Sequence, residues 1–329
     1  MDKQWDAVII GSGHNSLACA CHLAARGWRV AVLEQAETPG GAVKSGEYTQ
    51  PGFRHDWAAM NLSLFAGSAF HAEHGAELAK HGLAFAPTAN PFASLFPDGR
   101  WLGISNDRAL NRARIAGFSA KDAEAWDDLS DDFGTRAETI FGLLGSPMRA
   151  GALAKLGVSA LRRHGRGGSL DLARFLMMSP RAWLEETFED PHVRATFAAW
   201  GMHLDFAPDI AGGALFPYLE GMAAQAFGMV LGQGGADVMT RAMVAMIEAR
   251  GGSVTCNAEV TGIEQAGGRA TGVTLADGRF IGAEKAVIAN VAPKALLRLT
   301  GGSGEARHDA AMRDFQHAPG TLMIHLAMD

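Results

Sequence analysis

The sequence predicts a mixed α/β fold with two domains, and three observations support this prediction. Residues 7–10 and 29–33 are short apolar runs, and a glycine turn with a helical pattern of small residues lies between them. A helix that connects two buried strands in this way makes them parallel. A mostly helical stretch, 105–230, follows, and strand-like segments return only after it. We therefore expect a parallel sheet with a β-meander, and an inserted second domain of α+β type.

The composition restricts the class of protein. The chain has 329 residues, 48% of them apolar and 19% charged, which is the balance of a folded protein of about two domains. Its net charge of −6 argues against a nucleic-acid-binding protein, because such proteins are usually basic. The sequence shows no signal-peptide pattern, no membrane-spanning apolar run and no C-x-x-C motif. We therefore expect a reducing compartment and a cytoplasmic location.

Turn and capping residues predict the individual helices and strands. The features expected in the first half are a helix over 15–26, a helix-ending Gly27, a hairpin over 92–104, an N-cap at Ser119 and a glycine-rich linker over 165–168. Those expected in the second half are a helix from the glycines of 232–235 to Arg250, and strands over 253–255, 259–263, 272–275, 280–281, 285–290 and 321–328.

A dinucleotide-binding motif follows the first strand. Residues 11–16 match G-x-G-x-x-G, except that Ser16 replaces the third glycine. In this motif the first glycine permits a tight turn, the second lets a pyrophosphate approach the backbone, and the helix N-terminus attracts the negative charge. Glu34 lies at the end of the second strand, where an acidic side chain binds a ribose hydroxyl and disfavours NADP. The alternative is a purely structural glycine turn.

Further segments carry a resemblance to a known family. Residues 34–42 resemble the E-x5-G-G element of the FAD-dependent amine oxidase and phytoene desaturase superfamily. The later segments that resemble other elements of that superfamily, in the same order along the chain, are 51–56, 232–235, 258–260 and 289–293. The amino-acid sequence of residues 13–17 is most similar to that of the phytoene desaturase-related subgroup. This subgroup includes the pyridine nucleotide-disulphide oxidoreductase domain-containing protein 2 type.

The resemblance implies FAD as the cofactor and a Rossmann-like FAD-binding domain. It assigns residues 1–70 and 228–300 to that domain, and residues 71–227 and 301–329 to a substrate domain. The residues that the motif and the resemblance assign to the cofactor are Gly11, Ser12, Gly13, His14, Asn15, Ser16, Glu34, Gln35, Gly40, Gly41, Ala42, Val260 and Asn290. In the family, the two further glycines bring a second backbone segment against the diphosphate, and the backbone that corresponds to Val260 pairs with the adenine.

The sequence departs from the family pattern at three positions and in length. Ser16 and Ala58 stand where glycines are usual, and Gly232 stands where a proline is usual. The family continues past the point that corresponds to Asp329 and returns to the flavin with a second glycine-rich segment. We therefore expect the substrate domain to be incomplete in this chain. A fragment, a partner chain or homo-oligomer that completes the site, and weak flavin binding remain alternatives.

The resemblance implies an oxidoreductase of the dehydrogenase or desaturase type. Such an enzyme passes a hydride from an apolar or amphipathic substrate to the flavin, and the cofactor carries the chemistry. The first alternative is a non-catalytic or incomplete flavoprotein-like subunit that needs a partner chain. The second is an NAD-dependent dehydrogenase, which the additional Gly40-Gly41 pair disfavours.

No catalytic acid or base can be assigned from the sequence. His14 lies in the phosphate turn, where backbone geometry is its expected role. His55 and Asp56 lie near the expected flavin ring, but structural hydrogen bonds are favoured over proton transfer as their role. His203 and Asp205 are candidate polar groups of the substrate domain. The histidines show no metal-ligand spacing, so we expect no metal.

Two segments raise the question of contact with a membrane or an apolar substrate. Residues 210–231 carry one charge, Glu220. This apolar segment has three possible interpretations: the wall of a substrate tunnel, a membrane-facing patch or a buried core helix. Residues 155–166 combine arginines with apolar turns, which is typical of a helix at an anionic membrane surface and also of a solvated basic helix end.

Overall fold

The structure is a computed structural model that describes residues 5–202, 208–317, 320 and 322–328. Its strands are β1 (Trp5–Ile10), β2 (Val30–Leu33), β3 (Ser45–Gly46), β4 (His55–Asp56), β5 (Phe85–Thr88), β6 (Phe92–Leu95), β7 (Trp101–Ile104), β8 (Met229–Gly232), β9 (Ser253–Thr255), β10 (Val260–Ala266), β11 (Arg269–Leu275) and β12 (Phe280–Ala289). Its helices are α1 (His14–Ala25), α2 (Ser63–Ala66), α3 (Ala69–Lys80), α4 (Arg108–Ala116), α5 (Ala120–Leu144), α6 (Ala150–Met177), α7 (Pro180–Thr187), α8 (Pro191–Gly201), α9 (Leu215–Phe227), α10 (Val238–Ala249), α11 (Pro293–Thr300) and α12 (Ala306–Arg313).

The chain divides into two units, and one is inserted into the other. The first unit comprises Met1–Ala86 and Val230–Asp329, and the second comprises Pro87–Met229. The assignment of a cofactor to one and a substrate to the other stays a prediction.

The first unit is built on a six-stranded sheet with the order β10-β11-β12-β1-β2-β9. Strand β1 pairs in parallel with β2 and β12, and β2 pairs in parallel with β9. The other end is an antiparallel meander of β10, β11 and β12. Ile9 and Val32 pack with α1 and α10 on one face, while Val8 and Ala31 pack toward the meander on the other. The predicted parallel sheet with a β-meander is confirmed.

Strand β12 corrects the sequence prediction. Two short strands, 280–281 and 285–290, were expected, but a single strand of ten residues runs through both. It leaves β11 at Gly282 and joins β1 from Ala283 onward. Glu284 and Lys285 lie exposed at this transition, and Lys285 Nζ contacts Asp6 Oδ1 at 2.9 Å. A strand tolerates polar residues where one face meets solvent.

Two other predictions about local structure are wrong. The expected linker over 165–168 lies inside α6, where only Gly165, at φ 69°, leaves helical geometry and kinks the helix. The expected strand over 321–328 is not formed in the part that the structure describes, because residues 322–328 have no strand partner there. The hairpin of β6 and β7 and the Ser119 cap, which accepts from the Asp122 amide, are confirmed.

The second unit is mainly helical and surrounds an aromatic core. Trp126 of α5 stacks on Phe197 of α8 at 5.1 Å between ring centroids, and Tyr218 of α9 is fully buried. Helix α9 occupies most of the apolar segment 210–231 and turns Leu215, Tyr218 and Met222 into this core. The buried-helix interpretation accounts for the apolar character of that segment. Among the described residues, no helix is both long and apolar enough to cross a bilayer.

Candidate nucleotide-binding site

The glycine turn joins β1 to α1 in the geometry that the motif predicts. Gly11 has φ 89°, which side chains rarely adopt, and its amide donates to the Leu33 carbonyl at 2.8 Å. A Cβ at this position would lie 3.3 Å from the carbonyl oxygen of Asn290. The first glycine therefore serves a tight turn that is enclosed by the end of β2 and the segment after β12.

Glu34 lies across this turn and is tied to it. Its Oε2 accepts from the amide and the hydroxyl of Ser12 at 2.8 and 2.7 Å, and its Oε1 accepts from the Ala36 amide at 2.9 Å. Ser12 is fully buried. Burial is the largest influence on Glu34 and opposes ionisation, but these hydrogen bonds and the Lys44 charge together lower its pKa. The site therefore holds a fixed carboxylate at its edge.

The second glycine pair brings another backbone segment against the first turn. The Gly40 amide donates to the Ser12 carbonyl at 3.1 Å, and Gly13 and Gly40 form an isolated parallel bridge. At Gly40, with φ 119°, a Cβ would lie 2.4 Å from the Val43 carbonyl oxygen. A Cβ at Gly41 would lie 3.0 Å from the Cα of Gly13. Only glycines allow the two backbones to approach this closely.

The N-terminus of α1 is open. Gly13 is its N-cap residue, and no side chain in the described part of the protein caps it. A Cβ placed on Gly13 would meet nothing within 4 Å, so the space above it is unfilled. His14 and Asn15 are exposed, while Ser16 is buried. The first amides of a helix carry a partial positive charge, and an uncapped helix start of this kind attracts anions.

The other predicted cofactor residues surround the same turn. The Asn290 side chain donates to Ser16 Oγ at 3.0 Å, so the serine in place of the third glycine gains a partner. The Ala258 amide donates to the Glu34 carbonyl at 2.8 Å, which brings the segment just before β10 beside the Glu34 backbone. Gln35 and Ala42 are exposed beside Glu34 and Gly41.

The candidate catalytic residues have structural partners. Asp56 Oδ1 accepts from the Ser45 hydroxyl at 2.5 Å and from the Ala236 amide at 2.7 Å. His55 Nε2 lies 2.8 Å from Thr49 Oγ1. These contacts join the β3–β4 ribbon to the segment before α10 and explain both residues without proton transfer. His203 and Asp205 lie outside the described residues.

Two residues of this region were missed by the sequence analysis. Lys44 acts on Glu34 by its charge, and Ser45 links Asp56 to the Asp237 amide at 3.1 Å. Gly235, whose φ is 122°, packs closely against Ser45: a Cβ on Gly235 would lie 2.6 Å from the hydroxyl oxygen of Ser45. No motif marks either residue. The glycine pair 234–235 was the available signal that another segment packs closely there.

Comparisons with known proteins agree on one superfamily. Residues 9–74 match a family model described as an NAD(P)-binding Rossmann-like domain. The mouse pyridine nucleotide-disulfide oxidoreductase domain-containing protein 2 is 27% identical over 85% of this chain and 52% of its own length. The neurosporene-forming phytoene desaturase of Cereibacter sphaeroides is 27% identical over 84% of this chain and 51% of its own. The chain thus spans about half the length of these relatives.

Solved structures agree on the fold. An oxidoreductase from Methanosarcina mazei aligns with 93% of this chain and 64% of its own at a TM-score of 0.59 and 22% identity. A putrescine oxidase variant aligns with 94% of this chain and 63% of its own at a TM-score of 0.57 and 20% identity. The comparisons confirm the predicted resemblance to this superfamily and the Rossmann-like fold.

The hydrogen bonds of Glu34 predict a pH-dependent contribution to stability. Because folding lowers its pKa from the ordinary 4.5, ionised Glu34 stabilises the fold fully above the unfolded-state pKa, and this contribution is lost as the pH falls through the folded-state pKa. We expect Glu34→Gln to be less stable than the wild type at neutral pH, with a difference that shrinks in acid. Urea unfolding at a series of pH values measures this difference. Glu47→Gln, at an exposed glutamate, serves as the control, and a pH-independent difference for Glu34→Gln would contradict the prediction.

Proposed function

We propose that this chain, which is similar in sequence to phytoene desaturases, is an FAD-dependent oxidoreductase of the dehydrogenase or desaturase type. One observation carries the proposal. The uncapped N-terminus of α1, with unfilled space above Gly13, lies beside a fixed carboxylate, Glu34. A helix start provides for a diphosphate and a carboxylate provides for a ribose, so both halves of an adenine dinucleotide site are present.

The residues present fit this cofactor. The amides of residues 11–16 would hold the diphosphate, since no side chain occupies the space above Gly13. Glu34 accepts three hydrogen bonds, two on Oε2 and one on Oε1, so Oε1 has one acceptor site left for a ribose hydroxyl. The Gly40-Gly41 backbone adjoins the first turn and would extend the cradle. Val260 and Asn290 would border the adenine and the diphosphate, respectively.

The second glycine pair favours FAD over NAD. A single glycine turn and an acidic strand end suffice for NAD, whereas this chain adds a second backbone segment at hydrogen-bonding distance from Ser12. FAD, when bound, supplies the acceptor for a hydride from a substrate C–H bond. The role of the chain's own residues is to position the nucleotide part of FAD, and the glycines among them leave room for it because they have no side chains. None of the residues described above is assigned to proton transfer.

Gly13 offers a variant that tests binding without disturbing the fold. Its φ of −59° and ψ of 159° suit any residue, and asparagine and aspartate are favourable at an N-cap. We expect Gly13→Asn and Gly13→Asp to fold, to fill the space above the helix start and to weaken FAD binding by at least about tenfold. Gly13→Asp should be the weaker binder of the two, because its charge repels the diphosphate.

The measurement is titration of the full-length apoprotein with FAD, followed by flavin fluorescence and by melting temperature. Gln50→Glu adds the same charge at an exposed position and serves as the control. Unchanged FAD affinity in both Gly13 variants would sink the proposed site. Stabilisation by NAD and not by FAD would favour an NAD-dependent dehydrogenase instead.

The proposed substrate is an apolar or amphipathic molecule. The support is the likeness to proteins named phytoene and hydroxyneurosporene desaturases, at about 27% identity. We expect the FAD-loaded full-length protein, mixed anaerobically with an apolar polyene, to lose the visible absorbance of oxidised flavin. Persistent oxidised flavin, together with co-purification of a second polypeptide, would favour the alternative of a non-catalytic subunit that needs a partner chain. Turnover by the purified chain alone would exclude that alternative.

Contact with a membrane surface is a further part of the proposal. Helix α6 exposes Val158 and Leu161 at 48% and 50% of their surface, beside the cations Lys155 and Arg162. An apolar substrate is concentrated in bilayers, and a helix with exposed apolar and basic side chains associates with anionic lipid. The alternative is a cytoplasmic location without contact with a membrane.

Vesicle flotation tests this contact. We expect the wild type to float with anionic vesicles at low salt, and Val158→Asp/Leu161→Asp to float several-fold less, because the apolar anchors are lost. Leu95→Asp, at a leucine of the same unit that is 78% exposed, is the matched control and should float like the wild type. Equal flotation of the double variant and the wild type would contradict a role for α6.

A further inference from the structure

Three metal-binding side chains meet away from the nucleotide-binding site. His22 lies in the last turn of α1, and Glu73 and His74 lie on α3 of the same unit. Nδ1 of His22 is 3.3 Å from Nε2 of His74. Glu73 Oε2 is 3.8 Å from the first nitrogen, and its Oε1 is 3.6 Å from the second. The sequence analysis predicted no metal because the two histidines are 52 residues apart.

The spacing fits a tetrahedral metal ion. Zinc–nitrogen bonds of about 2.0–2.1 Å at the tetrahedral angle place two ligand atoms about 3.4 Å apart. The two imidazole nitrogens already have this separation. Each carboxylate oxygen of Glu73 lies within 4 Å of one of these nitrogens, and the three ligand atoms lie within 4.8 Å of one another. Glu73 is half exposed, so its side chain is free to rotate and bring one oxygen closer to both nitrogens. Two histidines and one carboxylate with an open fourth position form a known zinc ligand set.

The surroundings leave the three ligands available. His74 is 95% buried, so the protein around it restricts the position of its imidazole. Glu77, on the next turn, is already engaged by Arg250 through contacts of 3.0 and 2.7 Å. Arg26 Nη2 lies 3.9 Å from Glu73 Oε1, but it is half exposed and can turn toward solvent. His22 and Glu73 leave one side of the cluster open to water.

A simple hydrogen bond between the histidines is the competing explanation. It accounts for the contact of 3.3 Å, but it does not require a carboxylate with an oxygen within 4 Å of each imidazole. The convergence of three ligand atoms within 4.8 Å of one another is what a metal requires.

We propose that His22, Glu73 and His74 bind a divalent transition-metal ion, zinc in the first instance, that pins α3 to α1. The ion would join two helices that otherwise meet through side-chain packing, and α1 is the helix whose other end forms the nucleotide-binding turn. The role is structural, because the ligands lie at the end of α1 remote from Gly13. The inference does not depend on the proposed oxidoreductase function.

Calorimetric titration of tag-free, full-length protein, freed of metal with a chelator, tests the site with Zn²⁺. We expect one ion per chain, and at least about tenfold weaker binding in His22→Ala and in Glu73→Gln, because even outer-shell partners are worth that much. Both residues are about half exposed, so both variants should fold. His308→Ala is the matched control. His308 Nδ1 lies 3.6 Å from Asp309 Oδ1, so this histidine has one potential ligand beside it, whereas His22 has two.

A second measurement separates the site from adventitious surface binding. Zn²⁺ should raise the melting temperature of the wild type and of His308→Ala, and leave that of His22→Ala and Glu73→Gln unchanged. Co²⁺ should give visible absorption bands of a low-coordinate complex only in the first two proteins. Weak uptake that is equal in all four proteins, or stoichiometric binding that survives in His22→Ala, would overturn the proposal.

Discussion

The hydrogen bonds between Glu34 and Ser12 hold the nucleotide-binding turn in place. They exist because the parallel register of β1 and β2 places Ile10 opposite Leu33. The residues that follow the two strands therefore meet at the carboxyl end of the sheet. A buried hydroxyl and two amides then converge on one carboxylate, which fixes both the turn and the acidic group. Removal of the carboxylate would leave a fully buried serine without its acceptor, which is more costly than the loss of the hydrogen bond itself.

The site is made mostly of backbone, and this determines which substitutions it tolerates. Gly40 and Gly41 cannot change, because a Cβ on either would meet backbone atoms at 2.4 and 3.0 Å. The third motif position can change, because the Ser16 hydroxyl faces a donor, the side chain of Asn290. Gly13 differs from all of these, since the space beside it is open within the protein. The fold alone does not require a glycine there, and the open space agrees with the proposed approach of a nucleotide.

Local signals in the sequence predicted most of the first unit. The apolar runs, the glycine turn and Glu34 are close in sequence, so the strand–helix–strand unit and its nucleotide site could be recognised from pattern alone. The continuity of β12 could not be recognised, because the strand changes its partner from β11 to β1 between Gly282 and Ala283, and only the tertiary structure shows that pairing. The cluster of His22 with His74 was also invisible, since its ligands come from two helices that only the tertiary packing brings together.

Binding of the nucleotide and reaction with a substrate are separable properties of this fold. Every residue that we propose to bind the dinucleotide belongs to the first unit. The polar residues next to that site, His55 and Asp56, are engaged in holding the β3–β4 ribbon and the start of α10. Titration with FAD therefore examines the first unit, whereas anaerobic reduction by a polyene examines the substrate half. A protein that binds FAD and fails to react would retain the nucleotide assignment and lose only the substrate class.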